Sequence, residues 1–170
     1  MRLFKQTQNP ESLKEQVTRI LSEDNLRFSI TSENDWQTII NIGMALNSGN
    51  VDTFIDIQTE RRIIEIVTFT SINIPENKRD EVARYFNLIA LSLSYGHFEI
   101  VPSTGRIRSK TYLILPENQN SPDELIKRCF YGNLNIMDNY FPGIMEIVYG
   151  NVTAQRTIEK IHSHVDPQLN

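Results

Sequence analysis

The apolar positions of the chain recur with two periods, and these predict the order of its elements. A period near 3.6 residues indicates a helix, and a period of two indicates a strand. Helices are predicted over residues 10–23, 76–95, 121–150 and 154–162, and strands over 26–31, 36–46, 51–60, 62–70, 98–100 and 106–115. Sequential strands joined by short loops usually pair antiparallel. We therefore expect an α+β fold in which helices pack on one face of a twisted antiparallel sheet, in the order α-β(3-4)-α-β-β-α.

Capping and proline signals refine the predicted helix ends. Asn9 followed by Pro10 is typical of a helix start, which places the first N-cap at Asn9. A capping box with an early proline, at Ser121–Glu124, starts the long third helix. Pro142 is expected to kink or interrupt that helix.

Two elements carry more apolar surface than one buried face requires. The strand over 62–70 is apolar on both sides, and the second helix has leucines outside its main stripe. Helices cover only one face of the expected sheet, so the surplus indicates a partner, either a second copy of the chain or a protein client. The residues predicted for this surface are Ile63, Val67, Phe69, Leu88 and Leu91.

Length and composition are those of a globular protein. The 170 residues are 39% hydrophobic and 22% charged, and they predict one domain over 1–150 followed by a short helix and tail over 151–170. No apolar run is long enough to cross a membrane, and the start of the chain lacks the apolar core of a secretory signal. Cys129 is the only cysteine, expected as a buried, inert thiol, and it fits a reducing cytoplasm.

The charge balance argues against nucleic-acid binding. Lys and Arg number 17 against 21 Asp and Glu, a net charge of -4. The densest basic group, Arg106, Arg108 and Lys110, falls at every second position and so lies on one face of a strand. We interpret that group as the solvated face of the sheet and not as a phosphate-binding track.

No pattern of residues indicates catalysis, a metal or a cofactor. The histidines His97, His162 and His164 have no zinc-ligand spacing, and Asp52 and Asp56 are too far apart on one strand for paired carboxylates. We therefore predict a non-enzymatic protein. A pocket for a small ligand between sheet and helix remains an alternative, and the residues proposed to line it are Trp36, Asn87, Arg108, Lys110 and Tyr112. Asn87 is interpreted as a buried structural polar group if it binds no ligand.

Residues 67–150 resemble the YbjN family of bacterial proteins. The resemblance lies in VTFTSINIPENKRDEVARYFNLIALSLSYGHFEIVPSTGRIRSKTYLIL and in the later DNYFPGIMEIVYG. Within these segments the family pattern matches the proline-led charged turn at 74–79, the Phe86-Asn87 pair, the Gly-x-Phe-Glu step at 96–99, the Gly105-Arg106 turn and a late Tyr-x-Pro at 140–142.

This resemblance implies the fold of type III secretion chaperones, commonly dimeric. The family is described as sensory or stress regulators without an established biochemical activity, and it supplies no catalytic residues. The prediction is a cytoplasmic protein-binding or regulatory module, chaperone-like and homodimeric. The alternative is a sensory domain that binds a small ligand.

Overall fold

The computed structural model describes residues 11–116 and 123–164, which form one six-stranded sheet and four α-helices. The elements are α1 (Leu13–Glu23), β1 (Ser29–Glu33), β2 (Gln37–Leu46), β3 (Gly49–Gln58), β4 (Ile63–Asn73), α2 (Arg79–Ala90), β5 (His97–Ile100), β6 (Arg106–Ile114), α3 (Asp123–Tyr149) and α4 (Ala154–His164). A single 3-10 turn, Glu76–Lys78, leads into α2. The predicted α+β class and element order are confirmed. The predicted caps Asn9, Pro10, Ser121 and Pro122 and the tail 165–170 lie outside the described residues.

All strand pairs are antiparallel, in the order β1-β2-β3-β4-β6-β5. The first four strands form a meander. After α2 the chain returns so that β6 pairs with β4, and β5 lies outside β6. The hairpin β5–β6 is therefore attached to the meander by its second strand, a choice that local periodicity does not determine.

The two faces of the sheet differ because successive side chains of a strand point in opposite directions. One face packs against the helices and supplies the buried side chains of the core. Its central residues are Ile40, Ile42, Ile55, Ile57, Ile64, Ile66 and Ile107. Helical residues such as Val17, Val82, Tyr85, Met137 and Ile144 complete the same core. Ala154 and Ile158 of α4 belong to it as well.

Helix α1 starts later than predicted and is attached to α3 by polar contacts. Ser12 caps it, with the Ser12 side chain accepting from the backbone N–H of Glu15 and the Glu15 carboxylate accepting from the N–H of Ser12. At its other end Asp24 accepts hydrogen bonds from Lys127 Nζ and Tyr131 Oη, both at 2.7 Å. These contacts hold the first helix beside the long third helix.

The predicted end of α2 is wrong, and Pro142 does not interrupt α3. α2 ends at Ala90 and not at residue 95, since the chain must turn so that Gly96 can lie against β6. Gly96 has φ +75°, and a Cβ there would lie 2.9 Å from the carbonyl oxygen of Lys110. α3 continues through Pro142, so the predicted interruption does not occur, and Phe141 and Ile144 on either side of the proline are buried in the core.

A buried asparagine joins α3 to the sheet. Asn133 is fully buried, accepts a hydrogen bond from the hydroxyl of Ser109 at 3.0 Å and donates to the carbonyl of Ile66 at 3.2 Å. It therefore ties the helix to both β4 and β6. Reasoning from the sequence missed this residue, because one polar side chain in an apolar helix face has no distinctive spacing.

Replacing that asparagine should destabilise the fold. Asn133→Ala leaves the Ser109 hydroxyl buried without its partner and removes the side-chain hydrogen bond to the Ile66 carbonyl, so we expect the free energy of unfolding to fall by about 1–3 kcal/mol. Asn135→Ala, at an exposed position of the same helix, is the matched control and should change it by only a few tenths of a kcal/mol. Urea denaturation measures the free energy of unfolding of each variant. Equal stability of the two variants would contradict the role given to Asn133.

The contact between α1 and α3 should depend on pH. Hydrogen bonds from Lys127 and Tyr131 hold the pKa of Asp24 below its ordinary value of 3.8. A lowered pKa means that the contact stabilises the folded chain above about pH 4 and loses that effect as the pH falls through the folded-state pKa. We expect Asp24→Asn to be less stable than the wild type at neutral pH, with the difference shrinking toward about pH 2. Denaturation curves of both proteins between about pH 2 and pH 7 measure this difference in stability. A difference that does not change with pH would contradict the role given to Asp24.

Candidate functional site

The face of the sheet turned away from the helices, called here the uncovered face, carries a mixed surface. Phe54 of β3 and Phe69 of β4 meet edge to face with ring centroids 5.9 Å apart, and the Arg106 guanidinium lies 4.4 Å from the Phe69 centroid. Val67 is buried among these neighbours although no helix covers it. Three residues predicted for a partner surface, Ile63, Val67 and Phe69, thus share this face.

Ion pairs occupy the basic residues of the uncovered face. Arg106 contacts Asp52 at 3.4 Å, Lys110 contacts Glu65 at 3.1 Å, and Arg108 contacts Glu99. Burial alone would raise the pKa of Glu99, but the hydrogen bonds from His97 and Arg108 outweigh it and lower that pKa. The alternating basic group predicted from the sequence is therefore a set of paired charges, which agrees with its interpretation as a solvated sheet face.

The other predicted partner residues lie elsewhere. Leu88 is half-buried against the core on the helical side, and Leu91 follows the end of α2 with 84% of its surface exposed. The strand residues and the helix residues are thus on opposite sides of the sheet, because α2 packs on the covered face. The five residues predicted from their surplus apolarity do not form one surface.

The predicted ligand pocket is not assembled either. Trp36 is exposed at the β1–β2 turn, and Asn87 is exposed on α2 instead of being buried. Arg108, Lys110 and Tyr112 lie on the uncovered face, since their neighbours Ser109 and Thr111 contact Asn133 and Cys129 of α3. A pocket between sheet and helix cannot include side chains that point away from the helices.

A different site lies where β5 ends. β5 pairs with β6 only along Ile107–Lys110, so within the described residues the outer edge of β6 over 111–114 has no neighbouring strand. A groove of about 410 Å³ follows this edge between the α2–β5 loop and the first turns of α3. We call it the edge groove, and it is lined by Ser94, Tyr95, Gly96, Thr111, Tyr112, Leu113, Leu125, Arg128 and Cys129.

Large apolar side chains are exposed around the edge groove. Tyr95 is 53% exposed, Tyr112 57%, Ile114 64% and Leu125 41%, and we call these four the edge patch. Ile114 stands directly opposite Ile63 in the sheet register, so the patch continues onto the uncovered face. Tyr112 and Ile63 were named from the sequence, whereas Tyr95 and Leu125 were missed because only the turn before β5 brings them together.

Glycine at position 132 determines where Tyr95 lies. A Cβ on Gly132 would come within 2.5 Å of the Tyr95 hydroxyl oxygen, so the bare backbone of α3 is the surface on which the ring rests. On the same side of α3 the Cys129 thiol lies 3.5 Å from the Thr111 hydroxyl. Burial raises the pKa of the Cys129 thiol. Cys129 is half-buried instead of fully buried, and it is held in its neutral form.

Within residues 11–116 and 123–164, no group of three or more His, Cys, Asp or Glu side chains is placed to hold a metal ion. In the same part of the chain, no helix has the length and apolarity needed to span a membrane. A second groove of about 520 Å³ between α3 and α4 is crossed by the ion pair of Lys160 with Glu146 at 3.0 Å.

The chain matches no protein-family model, and no match was found among curated proteins. The resemblance to the YbjN family therefore stays a prediction.

The position of Tyr95 provides a test of the edge groove. In Gly132→Ala the new methyl group should displace the flexible tyrosine ring, while the better helix propensity of alanine limits any loss of stability. We expect the ring resonances of Tyr95 to shift in NMR spectra. Gly43→Ala, on a strand position with nothing within 4 Å of the added methyl, should leave them unchanged. Unshifted Tyr95 resonances in Gly132→Ala would contradict this placement.

Proposed function

We propose that the chain is a non-enzymatic protein-binding module that presents the edge patch to another protein, and that a second copy of the chain is one such partner. The observation that carries this proposal is the coincidence of four exposed large apolar side chains with an unpaired length of strand edge. Exposed apolar patches mark interaction sites, and unpaired edges are the part of a sheet to which other chains add.

The element order supports a wider form of the same proposal. The resemblance to the YbjN family implies a twisted antiparallel sheet with helices on one face, and the order of helix, four strands, helix, hairpin and long helix is compatible with that fold. The helices also pack on one face only, which leaves the opposite face free for a partner. On this basis we propose a chaperone-like, homodimeric regulatory module that works in the cytoplasm.

A sensory domain that binds a small ligand is the second candidate. The edge groove, at about 410 Å³, has the size of small-molecule sites and combines tyrosine and leucine with one guanidinium. Of the residues predicted for such a pocket, Tyr112 alone lines this groove. The exposure of its apolar walls favours a macromolecular partner, since small-molecule sites bury most of their ligand.

The proposal is tested by measuring self-association and client binding together. We expect light scattering between about 1 and 100 µM to show a dimer, and we expect the chain to suppress the aggregation of a heat-denatured client protein. Ile114→Lys should weaken dimerisation or client protection by about tenfold or more, because it places a charge in the edge patch. Ile30→Lys is the matched control, because Ile30 is also an exposed isoleucine but lies on β1 at the opposite edge of the sheet.

Three results would overturn the proposal. The first is a wild-type chain that remains monomeric and leaves client aggregation unchanged. The second is an effect of Ile114→Lys no larger than that of Ile30→Lys. The third is thermal stabilisation by small metabolites with neither protein interaction present, which would establish the second candidate instead.

A further inference from the structure

We infer that the edge groove binds an extended peptide segment of a partner protein, which adds as a strand beside residues 111–114 of β6 and places a carboxylate against Arg128. The inference rests on the proposed function and describes how the partner is recognised. Three independent features of the groove support it: its backbone edge, its apolar walls and a cation that forms no ion pair with any described residue.

The backbone edge has groups available for pairing. The N–H of Leu115 donates to the carbonyl of Arg62 at 2.9 Å, so Leu115 and every second residue before it direct their backbone groups toward β4. Tyr112 and Ile114 therefore direct theirs toward the opposite edge, where β5 no longer runs. An incoming extended segment can continue the ladder that β5 begins.

The walls on both sides of that edge are apolar. Tyr95 and Leu125 stand on the helical side of the groove, and Tyr112 and Ile114 stand on the uncovered side. Side chains of an added strand alternate between these two sides. Residues on either face of the incoming segment would thus contact an apolar surface, which suits an extended segment rich in valine, isoleucine or threonine.

Arg128 gives the site a preference for acid. Its exposed side chain lines the groove, and no described residue forms an ion pair with it. This distinguishes Arg128 from Arg108 and Lys110 of β6, which form ion pairs with Glu99 and Glu65. A guanidinium at the rim of an apolar groove, without an ion-pair partner in the described part of the chain, complements a carboxylate on the bound segment and disfavours a basic side chain there.

The test uses defined peptides and the full chain. The probe is a fluorescein-labelled octapeptide of alternating valine and threonine with one central glutamate, and binding is followed by fluorescence anisotropy. We expect a Kd on the order of 100 µM or tighter, and weakening by about fivefold or more when lysine replaces the glutamate. In Arg128→Glu the preference should invert, so that the lysine peptide binds better. Arg84→Glu, an exposed position on α2 outside the groove, is the matched control and should keep the wild-type preference.

A backbone variant of the probe separates strand addition from other binding. Methylation of alternate amide nitrogens blocks one hydrogen-bonded edge of the peptide, and one of the two methylation registers should abolish binding while the other preserves it. Equal binding by both registers, or an Arg128→Glu variant that keeps the wild-type preference, would overturn the inference.

The remaining outcomes separate this inference from the proposed function. No peptide binding by a chain that still dimerises and protects clients would refute the groove and leave the proposed function standing. Binding of decanoate, a small apolar carboxylate, in the absence of peptide binding would show that the groove is a small-ligand site and would also refute the inference. A wild-type chain that shows neither peptide binding, nor dimerisation, nor client protection would refute both the inference and the proposed function.

Discussion

The pleat of the sheet, with helices on only one of its faces, is the constraint on which the rest of the structure depends. Successive residues of each strand point alternately toward the helices and toward the uncovered face, so they must suit a buried and an exposed environment in turn. On β6, Ser109 and Thr111 bond to α3, and their neighbours Arg108 and Lys110 therefore lie on the uncovered face among carboxylates. A shift of register by one residue would bury those charges, so the core and the uncovered face define each other.

The uncovered face is protected in part by its own contacts. Phe69 lies beneath the guanidinium of Arg106 and against the edge of Phe54, and the basic side chains of β6 are paired with acids. Such pairing makes the centre of the face a poor attractor for anions or a basic partner. The side chains of the edge patch have no comparable contacts among the described residues, so the end of β6 and not the centre of the uncovered face is the more available surface for a partner.

The edge groove exists because β5 is shorter than β6. Only four residues of β5 pair with β6. The loop before β5 must then approach β6 closely enough that Gly96 contacts Lys110 and Thr111. Tyr95 then rests on Gly132, and α3 supplies the opposite wall. Gly96 and Gly132 thus shape the one place where strand edge, apolar side chains and an unpaired arginine meet among the described residues.

Periodicity by itself determined the elements, their order and the α+β class, because burial of one face leaves a repeat of two or 3.6 residues in any strand or helix. The same pattern placed Ile63 on a predicted partner surface and Tyr112 in a predicted ligand pocket, and it indicated that the basic residues of β6 form a solvated face. Only the tertiary structure decided that β6 and not β5 joins β4, that Leu88 lies apart from Val67, and that Asn133 is buried whereas Asn87 is exposed. These three features depend on contacts between residues that are distant in the chain, and such contacts leave no repeat in the local sequence. The candidate site belongs to this second kind, since a groove between a strand end, a loop and a helix exists only once the three are packed together.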